Sequence, residues 1–180
     1  MHPVLRACFA MLALSACSAY GGPGMDRADV PMRDAMGRDV GTLVLTNTPA
    51  GLMLAGTVRG LPPGMHAIHV HTTGRCEPPF ETAGAHWNPM SRMHGLQNPA
   101  GPHLGDMPNV SVSSDGSASV SAVTAGGTLR DRDALLDSDG AAVVIHASAD
   151  DNRSDPAGNS GDRIACGVVR GVFSGVVRGG

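Results

Sequence analysis

Short β-rich runs separated by turn residues extend along most of this 180-residue chain. The runs stop at groups of Gly, Pro and Asn, which is typical of short strands joined by turns. With 25 glycines, 13 prolines and only five aromatic residues, the composition also favours strands and turns over long packed helices. Predicted strands cover 40–46, 52–59, 65–71, 110–113, 117–123, 142–147 and 164–173. Seven or eight such strands predict an all-β domain, an antiparallel β-sandwich or barrel.

Two irregular stretches interrupt the strand pattern. Regular periodicity disappears for over thirty residues between 72 and 108, and 148–162 is rich in Asp, Gly and Asn. A structureless stretch of this length inside a compact domain needs something to hold it, and a metal site or a disulfide would do so. We therefore expect two long functional loops.

The N-terminus has the pattern of an export signal. Arg6 precedes an apolar run of ten residues, too short to span a membrane but of the right length for a signal peptide. The run ends in Leu14-Ser15-Ala16-Cys17, which resembles a bacterial lipobox, where cleavage precedes a cysteine that carries lipid. The alternative is an ordinary secretion signal cleaved slightly later. The predicted organisation is a lipoprotein signal peptide at 1–16, a flexible tether at 17–28 and the folded domain at 29–180.

This organisation places the domain outside the cytoplasm, anchored to a bacterial membrane through lipid on Cys17 and facing the periplasm or the cell surface. Of the four cysteines, Cys8 leaves with the signal and Cys17 is lipidated, so Cys76 and Cys166 remain. In an oxidising compartment these two are expected to form a disulfide.

The net charge of −3 and the absence of basic clusters argue against a nucleic acid partner.

Histidines are concentrated in the third predicted strand. Residues two apart on a strand share a face, so His69 and His71 lie on one side while Ile68 and Val70 point into the core. The pair is suited to metal binding. An exposed polar face of a half-buried strand is the alternative for an isolated His-x-His.

Further candidate ligands favour the metal site. His86, His94, His103 and Asp106 lie in the first irregular stretch. His146 ends an apolar strand, where an unpaired imidazole is costly.

Several separate motifs follow one another in a recognisable order. They are HAIHVH at 66–71, Cys76, AGAHWNP at 83–89, HG at 94–95, HLGDMPN at 103–109, His146 with ADD at 149–151, and GNSGDRIACG at 158–167. In these motifs the chain resembles the copper/zinc superoxide dismutase family of the bacterial secreted type, from about residue 28 to 169. The resemblance implies a Greek-key β-sandwich or barrel of about eight strands with a zinc loop and an electrostatic loop.

The resemblance also implies two metal cofactors, one copper ion and one zinc ion per subunit. The implied copper ligands are His69, His71, His86 and His146, and the implied zinc ligands are His86, His94, His103 and Asp106. His86 then bridges the two ions. Imidazoles with an open side suit redox-active copper, whereas a closed tetrahedral set suits a structural zinc.

Three other residues receive roles from the resemblance or from their spacing. Asp150 resembles the carboxylate that accepts hydrogen bonds from one copper ligand and one zinc ligand, here His69 and His94. Arg163 resembles the arginine that docks the superoxide anion beside the copper. His66 lies an odd number of residues from His69, so we expect it to face away from the metals and to brace the backbone.

The implied function is the disproportionation of superoxide to molecular oxygen and hydrogen peroxide, with Arg163, His86 and Asp150 as the residues of the reaction. The alternative is a non-catalytic copper- or zinc-binding or metal-buffering protein of the same fold, in which the loss of a copper ligand, Asp150 or Arg163 is expected. A purely structural sandwich has no need of seven converging ligands. The sequence leaves the oligomeric state open, with a homodimer as one option.

Overall fold

The computed structural model describes residues 27–130 and 134–172. The signal peptide, most of the tether and Cys17, all predicted from the sequence, lie outside these residues. The strands are β1 (Arg27–Asp34), β2 (Asp39–Thr48), β3 (Gly51–Val58), β4 (Gly64–His66), β5 (Ile68–His71), β6 (Val110–Val112), β7 (Ala118–Val123), β8 (Ala142–His146), β9 (Arg163–Val168) and β10 (Arg170–Val172), with one 3₁₀ turn at Glu81–Ala83. No helix within the described ranges is long and apolar enough to cross a membrane.

Eight of the strands form one curled sheet with antiparallel pairing. Its order is β5-β8-β9-β1-β2-β3-β7, and β10 pairs with β1. A second sheet contains β4 and β6. Because β4 runs into β5 through Ala67 and β6 turns into β7 at 113–117, the small sheet joins the two ends of the large one. The predicted all-β barrel is confirmed.

The strands differ from the prediction at three places. β1 was not predicted; it covers Arg27–Asp34 and so includes two residues that the predicted organisation assigns to the tether. Pro31 in its middle weakens the strand signal, although inward and outward residues alternate along β1. The predicted strands at 65–71 and 164–173 are each divided in two, at Ala67 and at Val169.

The main apolar core fills the barrel interior, where Ile68 and Val70 of β5 pack with Val143 and Ile145 of β8. A smaller apolar cluster lies on the other face of β8, beneath the loop that follows β5. It contains Phe80, Ala83, Ala142, Val144 and Cys166, with Cys76 packed against it.

The predicted disulfide is present. Cys76 and Cys166 are joined with their Cα atoms 5.6 Å apart. This bond ties residues 72–109, called the long loop below, to β9. Residues 147–162, between β8 and β9, are called the short loop.

Candidate metal centre

Strand β5 carries the first two candidate ligands. His69 pairs with Val144 and His71 with Ala142 on the neighbouring β8, so both imidazoles lie outside the barrel core. Both side chains are nevertheless fully buried, because the two loops cover this face. An exposed polar strand face is therefore excluded.

The long loop runs beside β5 and is hydrogen-bonded to it at Val70. The amide of Val70 donates to the Gly105 carbonyl at 2.9 Å, and the amide of Trp87 donates to the Val70 carbonyl at 2.9 Å. This pairing sets His86 and Asp106 beside the strand. At Gly105 a Cβ atom would collide with the Val70 carbonyl oxygen, so only glycine allows this approach.

Four imidazoles converge around one point. His69, His71, His86 and His146 are buried, and one nitrogen from each ring lies within 4.8 Å of the others. These nitrogens are His69 Nδ1, His71 Nε2, His86 Nε2 and His146 Nε2, and they are the only buried side-chain nitrogen or oxygen atoms without a hydrogen-bond partner in the described residues. Burying an unpaired polar atom costs about 1–3 kcal/mol, so the four together cost about 4–12 kcal/mol. A bound metal ion removes this cost, and four imidazoles suit copper.

A second donor set adjoins the first and contains His86, His94, His103 and Asp106. Asp106 Oδ1 lies 2.9 Å from His86 Nδ1, 3.1 Å from His94 Nδ1 and 3.3 Å from His103 Nδ1. His103 Nδ1 and His86 Nδ1 are 3.4 Å apart. Tetrahedral ligands at zinc bond lengths of about 2.0–2.1 Å lie about 3.3 Å from each other. The set fits a closed zinc site.

His86 belongs to both donor sets. Its Nδ1 contacts Asp106 in the second set, and its Nε2 is one of the four unpaired nitrogens of the first. The structure thus brings all seven predicted metal ligands together.

Hydrogen bonds hold the outer nitrogens of the ligand rings. Asp150, which is buried, accepts from Nε2 of His69 at 2.8 Å and from Nε2 of His94 at 3.0 Å. The Gly84 carbonyl accepts from Nδ1 of His71 at 2.9 Å. For His69 and His71, the bond places the ring proton away from the donor set and leaves a lone pair directed into it.

Burial keeps three rings of the four-histidine set neutral, those of His69, His71 and His146. It lowers the pKa of His69 to about 4 and that of His146 to about 3, and it holds the pKa of His71 well below its ordinary value. A neutral imidazole is the form that binds a metal.

The carboxylates of the site are held ionised. Burial alone would raise the pKa values of Asp106 and Asp150, but hydrogen bonds from His94 and from a second histidine hold both well below the usual range. In return, although burial lowers the pKa of His94, its bonds to Asp106 and Asp150 raise it to about 9. One negative charge thus lies in the second donor set, on Asp106, and another lies beside it, on Asp150.

A cavity of about 970 Å³ opens beside the first donor set, and His146 and Arg163 both line it. Arg163 Nη1 donates to the Phe80 carbonyl at 2.7 Å and Nη2 to the Gly84 carbonyl at 2.9 Å. These two bonds leave the other guanidinium N–H groups for an anion in the cavity.

His66 is turned away from both donor sets, as its spacing predicts. Its Nδ1 lies 2.8 Å from the His146 carbonyl oxygen and its Nε2 lies 2.8 Å from that of Pro62. The ring therefore connects β4 to the end of β8 behind the site.

Sequence reasoning did not assign Asp155. Its carboxylate accepts from the backbone amide of His94 at 2.6 Å and lies 3.8 Å from Nε2 of His103. Arg153 adds a second link between the loops by donating twice to the Gln97 side chain, at 3.0 and 2.8 Å. Neither irregular loop has a periodicity from which such contacts follow.

Comparisons with known proteins agree with this geometry. A family model described as copper/zinc superoxide dismutase matches residues 40–169. A copper/zinc superoxide dismutase of Aquifex aeolicus is 41% identical over 148 residues, covering 80% of this chain and 86% of that protein. One from Caulobacter vibrioides is 38% identical over 178 residues, covering 89% and 100%. Among solved structures, a superoxide dismutase-like protein from Bacillus subtilis has a TM-score of 0.75 at 36% identity, covering 78% of this chain and 97% of that one.

Proposed function

Because this chain belongs to the copper/zinc superoxide dismutase family, we propose that its two donor sets hold the two metal cofactors of that family. The protein is a superoxide dismutase, which converts two superoxide ions and two protons to one O₂ and one H₂O₂. Copper belongs in the four-histidine set and zinc in the three-histidine, one-aspartate set. The observation that carries this proposal is the group of four buried ring nitrogens that have no hydrogen-bond partner.

Copper supplies the one-electron oxidation and reduction of successive superoxide ions, and zinc supplies a fixed, redox-silent charge. The chain does the rest. Arg163 binds the anionic substrate in the cavity next to His146, held by its two bonds to backbone carbonyls. A guanidinium stays charged at every working pH, so this attraction does not titrate.

His86 has the position of a proton carrier as well as a bridging ligand. Its Nδ1 lies in the zinc set and its Nε2 in the copper set. We propose that Nε2 takes up a proton in one half of the cycle and donates it in the other. Asp150 keeps the rings of His69 and His94 in place by accepting their Nε2 protons.

The test is superoxide removal by protein loaded with both metals. His146→Ala is expected to lose copper and activity together. Arg163→Ala is expected to keep both metals and lose about 10- to 100-fold in rate constant, because a hydrogen bond to a charged group contributes about 1.5–3 kcal/mol. Arg153→Ala, which removes an exposed arginine from the short loop, is the matched control and is expected to keep wild-type activity. Full metal content with equal activity in all four proteins contradicts the proposal, and metal binding without any activity favours a buffering protein.

We also propose that the domain works outside the cytoplasm, held to a bacterial membrane by lipid on Cys17. The disulfide supports an oxidising compartment, and the bacterial relatives are consistent with it. Cys17→Ala in the full chain is expected to move the protein from the membrane fraction to the soluble fraction. Unchanged membrane association contradicts the anchor.

A further inference from the structure

We propose that Ser160 is a positioning residue for the ligand His146, and that its hydroxyl tunes how strongly that imidazole donates to copper. The inference rests on the proposed function, since it assumes copper in the four-histidine set. Ser160 lies in the short loop, and only 2% of its surface is exposed.

The contacts of Ser160 form a chain of three groups. His146 Nδ1 lies 3.1 Å from Ser160 Oγ and 3.3 Å from the Gly161 carbonyl oxygen. Ser160 Oγ lies 2.8 Å from the Ala157 carbonyl oxygen. Because Nε2 of His146 is one of the unpaired nitrogens, Nδ1 is the only ring nitrogen that hydrogen-bonds within the described residues.

The direction of each hydrogen bond follows from the chemistry of the groups. A carbonyl oxygen only accepts, so the single hydroxyl proton of Ser160 goes to Ala157. Toward His146 the hydroxyl oxygen can then act only as an acceptor. The proton of the neutral imidazole is therefore on Nδ1, and the lone pair of Nε2 faces the donor set.

The three outward hydrogen bonds of the four-histidine set are graded in strength. His69 donates to the carboxylate of Asp150 at 2.8 Å, His71 donates to a carbonyl at 2.9 Å, and His146 donates to a neutral hydroxyl at 3.1 Å. A stronger acceptor at the outer nitrogen makes an imidazole a better donor to its metal. His146 thus has the weakest outward hydrogen bond of the three, and the side chain of Ser160 determines the strength of that bond.

Removing the hydroxyl leaves His146 with only the Gly161 carbonyl at 3.3 Å. Loss of an outer partner of a metal ligand lowers metal affinity by about 10- to 100-fold. Because Gly161 remains, we expect the lower end, about a 10-fold loss of Cu(II) affinity in Ser160→Ala. If Cu(I) affinity is unchanged, a tenfold loss of Cu(II) affinity raises the reduction potential of the one-electron copper couple by about 59 mV.

The experiment uses the full chain loaded with zinc and copper. Cu(II) affinity is measured by competition with a chelator, the copper potential by redox titration, and the Cu(II) environment by electron paramagnetic resonance. Ser160→Ala is expected to shift all three, and Ser160→Thr to restore them. Ser154→Ala is the matched control, since it deletes a hydroxyl from the same loop at a residue whose side chain has no hydrogen bond to His146.

A second measurement does not depend on the stability of the variants. In the reduced, diamagnetic protein the Nδ1 proton of His146 is expected to give a slowly exchanging imidazole signal, which moves or exchanges faster in Ser160→Ala. If Ser160→Ala and Ser154→Ala have the same Cu(II) affinity, copper potential, paramagnetic resonance spectrum and imidazole proton signal, the inference is overturned while the proposed function stands. A wild-type chain that binds no copper overturns the proposed function itself.

Discussion

The disulfide between Cys76 and Cys166 closes a loop with a sequence separation of 90 residues. In the chain-entropy model, cross-linking a loop of this length removes about 15.5 cal/mol/K from the unfolded chain, or about 4.6 kcal/mol at 25 °C. Reducing the bond in the metal-free protein is therefore expected to lower the free energy of unfolding by about 4–5 kcal/mol. With an m-value of about 2 kcal/mol/M, the urea midpoint falls by about 2 M.

The assay is urea unfolding of metal-free protein with and without a phosphine reductant. The variant Cys76→Ala/Cys166→Ala is the matched control, because its midpoint is expected to be low and insensitive to reductant. A loss below about 1 kcal/mol at an unchanged m-value refutes the chain-entropy reasoning.

Reduction also has a functional expectation. The segment that follows Cys76 supplies the Phe80 and Gly84 carbonyls that hold Arg163. Cys166 lies on β9, the strand that begins at Arg163. Breaking the disulfide therefore allows the segment after Cys76 to move relative to β9, so Arg163 is held less firmly. The rate constant for superoxide removal is expected to fall at constant metal content.

Three other predictions follow from the site. Asp150→Asn keeps the size of the side chain but replaces one of its two accepting oxygens by a donor. Zinc affinity, measured by chelator competition, is therefore expected to fall about 10- to 100-fold. Unchanged affinity contradicts the role of Asp150. Gly158→Ala adds a Cβ atom that collides with Oδ1 of Asp150, at a residue with a backbone φ of +62°, so this variant is expected to lose zinc and to unfold at a lower temperature. Gly37→Ala is the control: at φ +76° and with no neighbour within 4 Å, it is destabilised only by the strained backbone. The metal-free protein is expected to lose stability as the pH falls from 6.5 toward 4. Burial lowers the pKa of His69 to about 4 in the folded chain, so the unfolded chain takes up the proton first. The loss of folding free energy from this residue is roughly 2 kcal/mol at pH 5. His69→Gln is expected to flatten that pH dependence, and an equally steep profile in the variant contradicts the assignment.

The parts of the fold that follow from local periodicity could be predicted. His69 and His71 share a face because side chains alternate along a strand, and the turn-bounded runs at 40–46 and 52–59 became β2 and β3. β1 could not be predicted with the same rules, because Pro31 lies at its centre.

The metal ligands, the acceptor role of Asp150 and the bracing role of His66 were predicted, whereas the other contacts that support the ligands were not. The ligand set came from motifs in a familiar order, and the structure brings the members together. The contacts of Asp155 and Ser160 could not be predicted, since both lie in an irregular loop whose path depends on tertiary packing. The division of the predicted strand 65–71 has a similar cause. The amide of Ala67 donates to the Ser148 carbonyl, and its own carbonyl accepts from the His146 amide.

The single carboxylate of Asp150 has a consequence for how the two ions are acquired. It holds one ring from each donor set, so an ion that fixes either ring also orders the acceptor of the other. We expect occupancy of the two positions to be linked, and such linkage is reciprocal: the factor by which zinc would strengthen copper uptake equals the factor by which copper would strengthen zinc uptake. We therefore expect Asp150, a side chain outside both donor sets, to contribute to cooperative loading.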